Sequence, residues 1–114
     1  MMPKYLLMFV GTDEEWESQS KDEMQHANAQ INGWWQRQSA AGLIRGGEEL
    51  GPRRTATTVR RRNGGRVVSY GPFIEAKEQV SGYALVECAD LDAAIALAKS
   101  WPGGDVEVRP CVER

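Results

Sequence analysis

The residues of this chain best suited to chemistry crowd into one stretch, Tyr70-Gly71-Pro72-Phe73-Ile74-Glu75-Ala76-Lys77-Glu78-Gln79-Val80-Ser81-Gly82-Tyr83. Glu75, Lys77 and Glu78 set carboxylates and an amine within reach of one another, just ahead of the apolar run Gly82-Tyr83-Ala84-Leu85-Val86. In a partly dehydrated cleft, a carboxylate with a raised pKa or an amine with a lowered one moves protons, as an elimination or isomerisation requires. Glu75 or Glu78 is then the base, and Lys77 or Arg109 holds an anion. The plainer alternative is a loop ion pair contributing about 0–1 kcal/mol. Glu48 and Glu49 follow the flexible Gly46-Gly47 and can join the same mouth, or form a solvated loop. Tyr83, with Glu107 and Arg109 for company, suits a small anionic or phenolic ligand. The same residues would equally satisfy polar groups in a dimer interface. Tyr70 and Phe73 complete the loop side of such a cleft as ligand contacts.

Other chemistries find little support. Gly46-Gly47 and Gly103-Gly104 fail the dinucleotide pattern, and one histidine with no paired cysteines argues against zinc. Cys88 and Cys111 lack metal-ligand spacing and read as ordinary thiols. No cofactor is implied. The formal net charge of −2 gives no global field toward nucleic acid or a membrane. No apolar run reaches the roughly 18 residues of a membrane span, and the start lacks signal-peptide character, so the expectation is a soluble, cytoplasmic protein. Arg53, Arg54, Arg60, Arg61, Arg62 and Arg66 gather on one hairpin. Without interleaved aromatics, and with alternate residues facing opposite sides, they form no single base-stacking patch. An acidic protein partner and a solvated hairpin both remain open.

These side chains are positioned by elements the pattern predicts. Residues 4–10 are apolar on both alternating faces, which describes a strand covered on both sides. A polar segment containing Trp16 leads to Ser20, an N-cap for a helix of about five turns whose stripe is Met24, Ala27, Ile31, Trp34, Trp35 and Gln38 and which ends near Gly42. Leu43-Ile44 begin a short strand that Gly46-Gly47 interrupt, and Glu48 to Pro52 read as loop. Arg53 to Tyr70 form a β-hairpin turning at Asn63-Gly64-Gly65. A strand over 80–88 follows. Asp90 then caps a helix with Leu91, Ala94, Ile95 and Ala98 inward, and Val106 to Arg109 form the last strand.

Without the hairpin, the order is ferredoxin-like βαββαβ, an α+β fold in one domain spanning 1–114. Two helices cover one sheet face only, so a homodimer is expected to cover the other.

The stretch from Tyr70 to Tyr83, with Gly46-Gly47-Glu48-Glu49-Leu50, Asp90-Leu91-Asp92-Ala93-Ala94 and Val106-Glu107-Val108-Arg109-Pro110, resembles the DGPF branch of the YCII-related family. The resemblance covers essentially the whole chain. It implies a dimeric α+β barrel, a His-Asp pair in some relatives that include a dehydrochlorinase, and in others an association with transcription through sigma factors. A regulatory module contacting a transcription component is therefore the alternative to a metabolite-binding protein. Tyr70 replaces the aspartate that opens the family motif. His26 lies on the first helix as the family histidine does and is the catalytic candidate by resemblance. Its register is about one turn early, where Gln30 fits better, and it points roughly 130° from the apolar stripe, which predicts solvent exposure.

Overall fold

The computed structural model describes residues 2–114. The first apolar run forms β1 (Lys4–Gly11), with Tyr5, Leu7 and Phe9 buried and Leu6, Met8 and Val10 half-buried on the opposite face. Thr12 then caps a five-residue helix, α1 (Asp13–Glu17), by accepting the Glu15 N–H at 3.1 Å. The polar segment around Trp16 is thus helical, although it is too short to show an apolar period. Ser20 and Glu23 form a reciprocal capping box on α2 (Lys21–Ala40). Gly42, at φ 78°, closes that helix in a left-handed turn.

The second strand, β2 (Ile44–Glu49), passes straight through the glycine pair where the sequence predicts an interruption. Its reason is spatial: a Cβ on Gly47 would collide with the Tyr83 carbonyl oxygen and the Trp35 ring. After a 3₁₀ turn at Arg53–Thr55 comes the hairpin of β3 (Thr57–Arg62) and β4 (Gly65–Tyr70). Asn63 and Gly64 turn it with φ of 49° and 78°, the signature of a type I′ turn. Then follow β5 (Gln79–Glu87), α3 (Leu91–Lys99), which Asp90 caps through the Ala93 N–H, and β6 (Asp105–Pro110).

The main sheet has the order β2-β5-β1-β6, antiparallel at each pairing, which is the ferredoxin-like arrangement. The hairpin is a separate two-stranded sheet. Tyr5, Leu7, Phe9, Ala84, Val86 and Cys88 of the sheet bury against Trp34, Ala94 and Leu97 of the helices. Trp34 is wholly buried, and its indole N–H donates to Ser100 Oγ at 2.9 Å. Phe9 stacks on Trp101 at 3.7 Å between centroids, with Trp34 edge-on to both.

Burial pushes the Cys88 thiol pKa up, and the nearby Asp90 carboxylate adds to the shift, while a hydrogen bond to the Asp90 backbone opposes it. A thiol held neutral in the fold contributes stability below its unfolded pKa, and that contribution is lost as pH rises. Stability should therefore decline above the ordinary thiol range near pH 8.5–9, with a shallower decline in Cys88→Ala. A thiol reagent at pH 8 should label half-buried Cys111 in the native protein and Cys88 only on unfolding. Equal labelling rates would place Cys88 outside the core.

Candidate functional site

Among the described residues, no layer packs as a core against the face of the sheet opposite the helices. Register fixes what it displays. Met8 pairs with Glu107 on one side and Tyr83 on the other, and Tyr83 pairs with Glu48, so one row crosses all the strands as Glu107, Met8, Tyr83, Glu48. At about 4.8 Å per strand, the two carboxylate-bearing residues stand roughly 14 Å apart with the phenol between them. The next row runs Arg109, Leu6, Leu85, Gly46. Met8, Leu6, Tyr83 and Leu85 are half-buried, whereas Glu48, Glu107 and Arg109 are exposed. Arg109 donates to Glu107 at 2.6 Å, which holds a compensated charge pair at one border of the face. At its other end, Glu87 accepts from Arg45 at 2.6 Å.

Gly82, Ala84 and Val86 are buried toward the helices, and Tyr83 turns away from them. Glu48 and Glu49 then separate, because neighbouring strand residues face opposite ways. Glu48 is in register with Tyr83, while Glu49 is in register with Gly82 on the helix side. The offset is set by a bulge at Arg45, between Ile44 and Gly46, which an alternation count from Leu43 does not contain.

Beyond Tyr83 the face continues through Val10 and its register partner Val80 into a groove of about 280 Å³. Leu50, Pro52, Ala56, Pro72 and Val80 give this groove apolar walls, and Arg53, Thr55 and Gln79 bring polar groups to it. The loop that follows β4 is braced rather than free. Gln79 Nε2 donates to the carbonyls of Ile74 and Ala76, each at 2.8 Å, and Arg53 donates to Ala76 O at 2.6 Å. Arg60 donates to Phe73 O at 2.8 Å and sits 4.7 Å above the Phe73 ring. Sequence reasoning missed the two arginine braces, whose partners lie 23 and 13 positions away, and no local pattern marked the shorter ones from Gln79.

Glu75, Lys77 and Glu78 are exposed on this loop. No hydrogen bond or ion pair among the described residues joins them to one another or to Tyr83. Phe73 is held beneath Arg60, and Tyr70 projects from the far end of β4, 88% exposed. His26 is exposed on α2, as its angle from the stripe predicts. The chain therefore brings together Tyr83, Glu48, Glu107 and Arg109 on one sheet face, and keeps His26, Tyr70 and the loop charges apart from them. Among the described residues no group of His, Cys, Asp or Glu is arranged to hold a metal ion, and no helix is long and apolar enough to cross a membrane.

An α+β ferredoxin-like domain with one covered sheet face, one open face bearing a phenol between acids, and an inserted hairpin defines the class. The chain belongs to the YCII-related family, whose domain matches residues 5–113. It is also similar to an uncharacterised protein of Rhizobium meliloti, 33% identical over 96 residues that cover 80% of this chain and 77% of that one.

Proposed function

We propose that the chain binds a small polar or aromatic metabolite as a homodimer, with one cleft per subunit on the open sheet face. The observation that carries this reading is the row Glu107, Met8, Tyr83, Glu48, half-buried at its centre, which leads through Val80 into the apolar groove. An apolar floor with a few convergent polar groups is the usual make-up of a ligand site. A second copy packed on this face would take Leu6, Met8, Val10 and Leu85 out of water, which stabilises by about 25 cal/mol for each Å² of apolar surface removed.

The chemistry suited to such a cleft is proton transfer without a cofactor, an elimination or isomerisation. Glu48 is the carboxylate in register with Tyr83, and Arg109 is the cation on the same face. Glu75 and Glu78, the bases suggested by the sequence, would act only from the loop at the groove's rim. The second reading, an interaction module that contacts a transcription component through the hairpin, is favoured by one observation. Arg61, Arg62 and Arg66 have no carboxylate partner among the described residues.

A thermal-shift screen with benzoate, hydroxybenzoates and short carboxylic acids tests the cleft. A ligand at about 100 times its Kd adds roughly 2.7 kcal/mol, on the order of 10 °C for a domain of this size. The wild type should shift, and Tyr83→Phe and Glu48→Gln should lose most of that shift. Equal shifts in all three proteins would place the ligand elsewhere, and no shift from any compound would abandon the metabolite reading.

A further inference from the structure

The β3–β4 hairpin presents two unlike faces. Register places Thr58, Arg60, Arg62, Gly65, Val67 and Ser69 on one face. Half of that face is engaged by its own chain, while Val67 on it is 51% exposed: Thr58 Oγ1 donates to Gly71 O at 2.7 Å, and Arg60 reaches Ser69 Oγ and the carbonyl and ring of Phe73. The other face carries Thr57, Val59 and Arg61 opposite Tyr70, Val68 and Arg66. Its large side chains are bare, with Val59 57%, Val68 54% and Tyr70 88% exposed.

Two features of this outer face call for a partner. Arg61 and Arg66 are direct register partners, and like charges placed opposite one another destabilise a two-stranded sheet. Neither has a carboxylate within ion-pairing distance among the described residues. Beside them stand two valines and a tyrosine, and the hairpin contains no lysine. Aromatic side chains and arginine in place of lysine are the composition of interface centres rather than of solvated surface. The hairpin packs closely on no other regular element, and the chain's radius of gyration, 16.2 Å, exceeds the roughly 13 Å expected of a compact domain of this length.

We infer that the hairpin is an exchanged arm: its outer face seats on the open sheet face of a second copy of this chain, bringing Arg61 and Arg66 to the acidic borders of that copy's cleft. The inference rests on the homodimer reading and specifies how the cleft is finished. The complementary surface is present in the chain itself. Glu48 borders the open face on the β2 side, and Glu107 and Asp105 border it on the β6 side, with Leu6, Met8 and Val10 between them. Glu48 and Asp105 have no cationic partner among the described residues, so the unpaired acids of one copy match the unpaired guanidinium groups of the other. A nucleic acid would meet the arginines but offer nothing to cover Val59 and Val68.

Sedimentation equilibrium with a charge swap tests this. Arg61→Glu/Arg66→Glu and Glu48→Arg/Asp105→Arg should each raise the dimer dissociation constant at least tenfold. Mixing the two variants should restore wild-type affinity, because in the mixed dimer both arms meet opposite charge. Far-UV circular dichroism checks that each is folded, and Arg61→Ala/Arg66→Ala serves as the milder variant. Unchanged dimerisation in all variants would overturn the arm and leave the homodimer standing. A wild type that stays monomeric would overturn both. Loss of binding to RNA or to an acidic protein in Arg61→Glu/Arg66→Glu, with dimerisation unaltered, would overturn the arm in favour of that partner.

Discussion

Trp34→Ala should lower the free energy of unfolding by about 3–5 kcal/mol, the largest loss expected of any single truncation in this chain. Trp34 is wholly buried on α2 and meets Phe9, Trp35 and Trp101 edge-on, with centroids between 5.1 and 6.0 Å. Truncation leaves a cavity with rigid aromatic walls, which relax poorly. It also removes the donor to Ser100 Oγ, although that hydroxyl keeps its own donation to Leu97 O at 2.6 Å and is not stranded. Trp34→Phe should therefore cost less, on the order of 1–2 kcal/mol, since most packing survives and one hydrogen bond is lost. Urea unfolding monitored by far-UV circular dichroism measures both. A loss below about 1 kcal/mol in the alanine variant would remove Trp34 from the centre of the core.

The second large effect belongs to Gly47→Ala. At φ 153° the backbone is in a region that glycine adopts and other residues avoid, a strain of about 1–3 kcal/mol on its own. The added methyl would also overlap the Tyr83 carbonyl oxygen, lie 2.5 Å from Trp35 Cη2 and 3.1 Å from Ala84 Cα. Two of these obstacles are backbone, so relief requires β2 to move off β5. Because Glu48 follows directly and pairs with Tyr83, the variant should lose stability and ligand response together. Gly46→Ala is the control, with nothing within 4 Å of its Cβ position, and should change stability by no more than roughly 0.5 kcal/mol. If Gly47→Ala matched Gly46→Ala, the close crossing of β2 under Trp35 would be wrong.

What the sequence made legible was local. Asn63-Gly64 specified its turn because only a few residues accept two successive positive φ values, and Ser20 with Glu23 specified a helix start by reciprocal hydrogen bonding. Alternation separated Gly82, Ala84 and Val86 from Tyr83 along β5, although two apolar faces did not by themselves say which one meets the helices. Features set by distant partners were not legible. Gly46-Gly47 resembled a break because the need for a missing Cβ at Gly47 arises from Trp35 and from β5, which no local pattern reveals. In the sequence, alternation already divided the hairpin arginines between two faces, but not by partner. In the fold, Arg53 and Arg54 meet Asp13, Glu14 and Glu17 of α1, Arg60 clamps Phe73, and the rest stay without carboxylate partners. Part of the site was legible on the same terms: Tyr83 and Arg109 stood out as ligand contacts, whereas the choice of Glu48 over Glu49 depended on a bulge.

The aromatic cluster also gives the molecule an optical identity. Trp34, Trp35 and Trp101 lie close enough to couple electronically, with Trp34 perpendicular to both neighbours at 5.1 and 5.4 Å, while Trp16 stands apart on α1. Strong near-ultraviolet ellipticity should come from the coupled trio, and its emission should be depolarised by transfer among the rings. Trp16 contributes a separate, half-exposed signal beside the 3₁₀ turn that leads into the hairpin. Replacing Trp16 leaves a probe confined to the junction of helices and sheet, and Trp16 as the sole indole would report on the base of the arm, so that one chain carries separately readable dyes for its core and for its periphery.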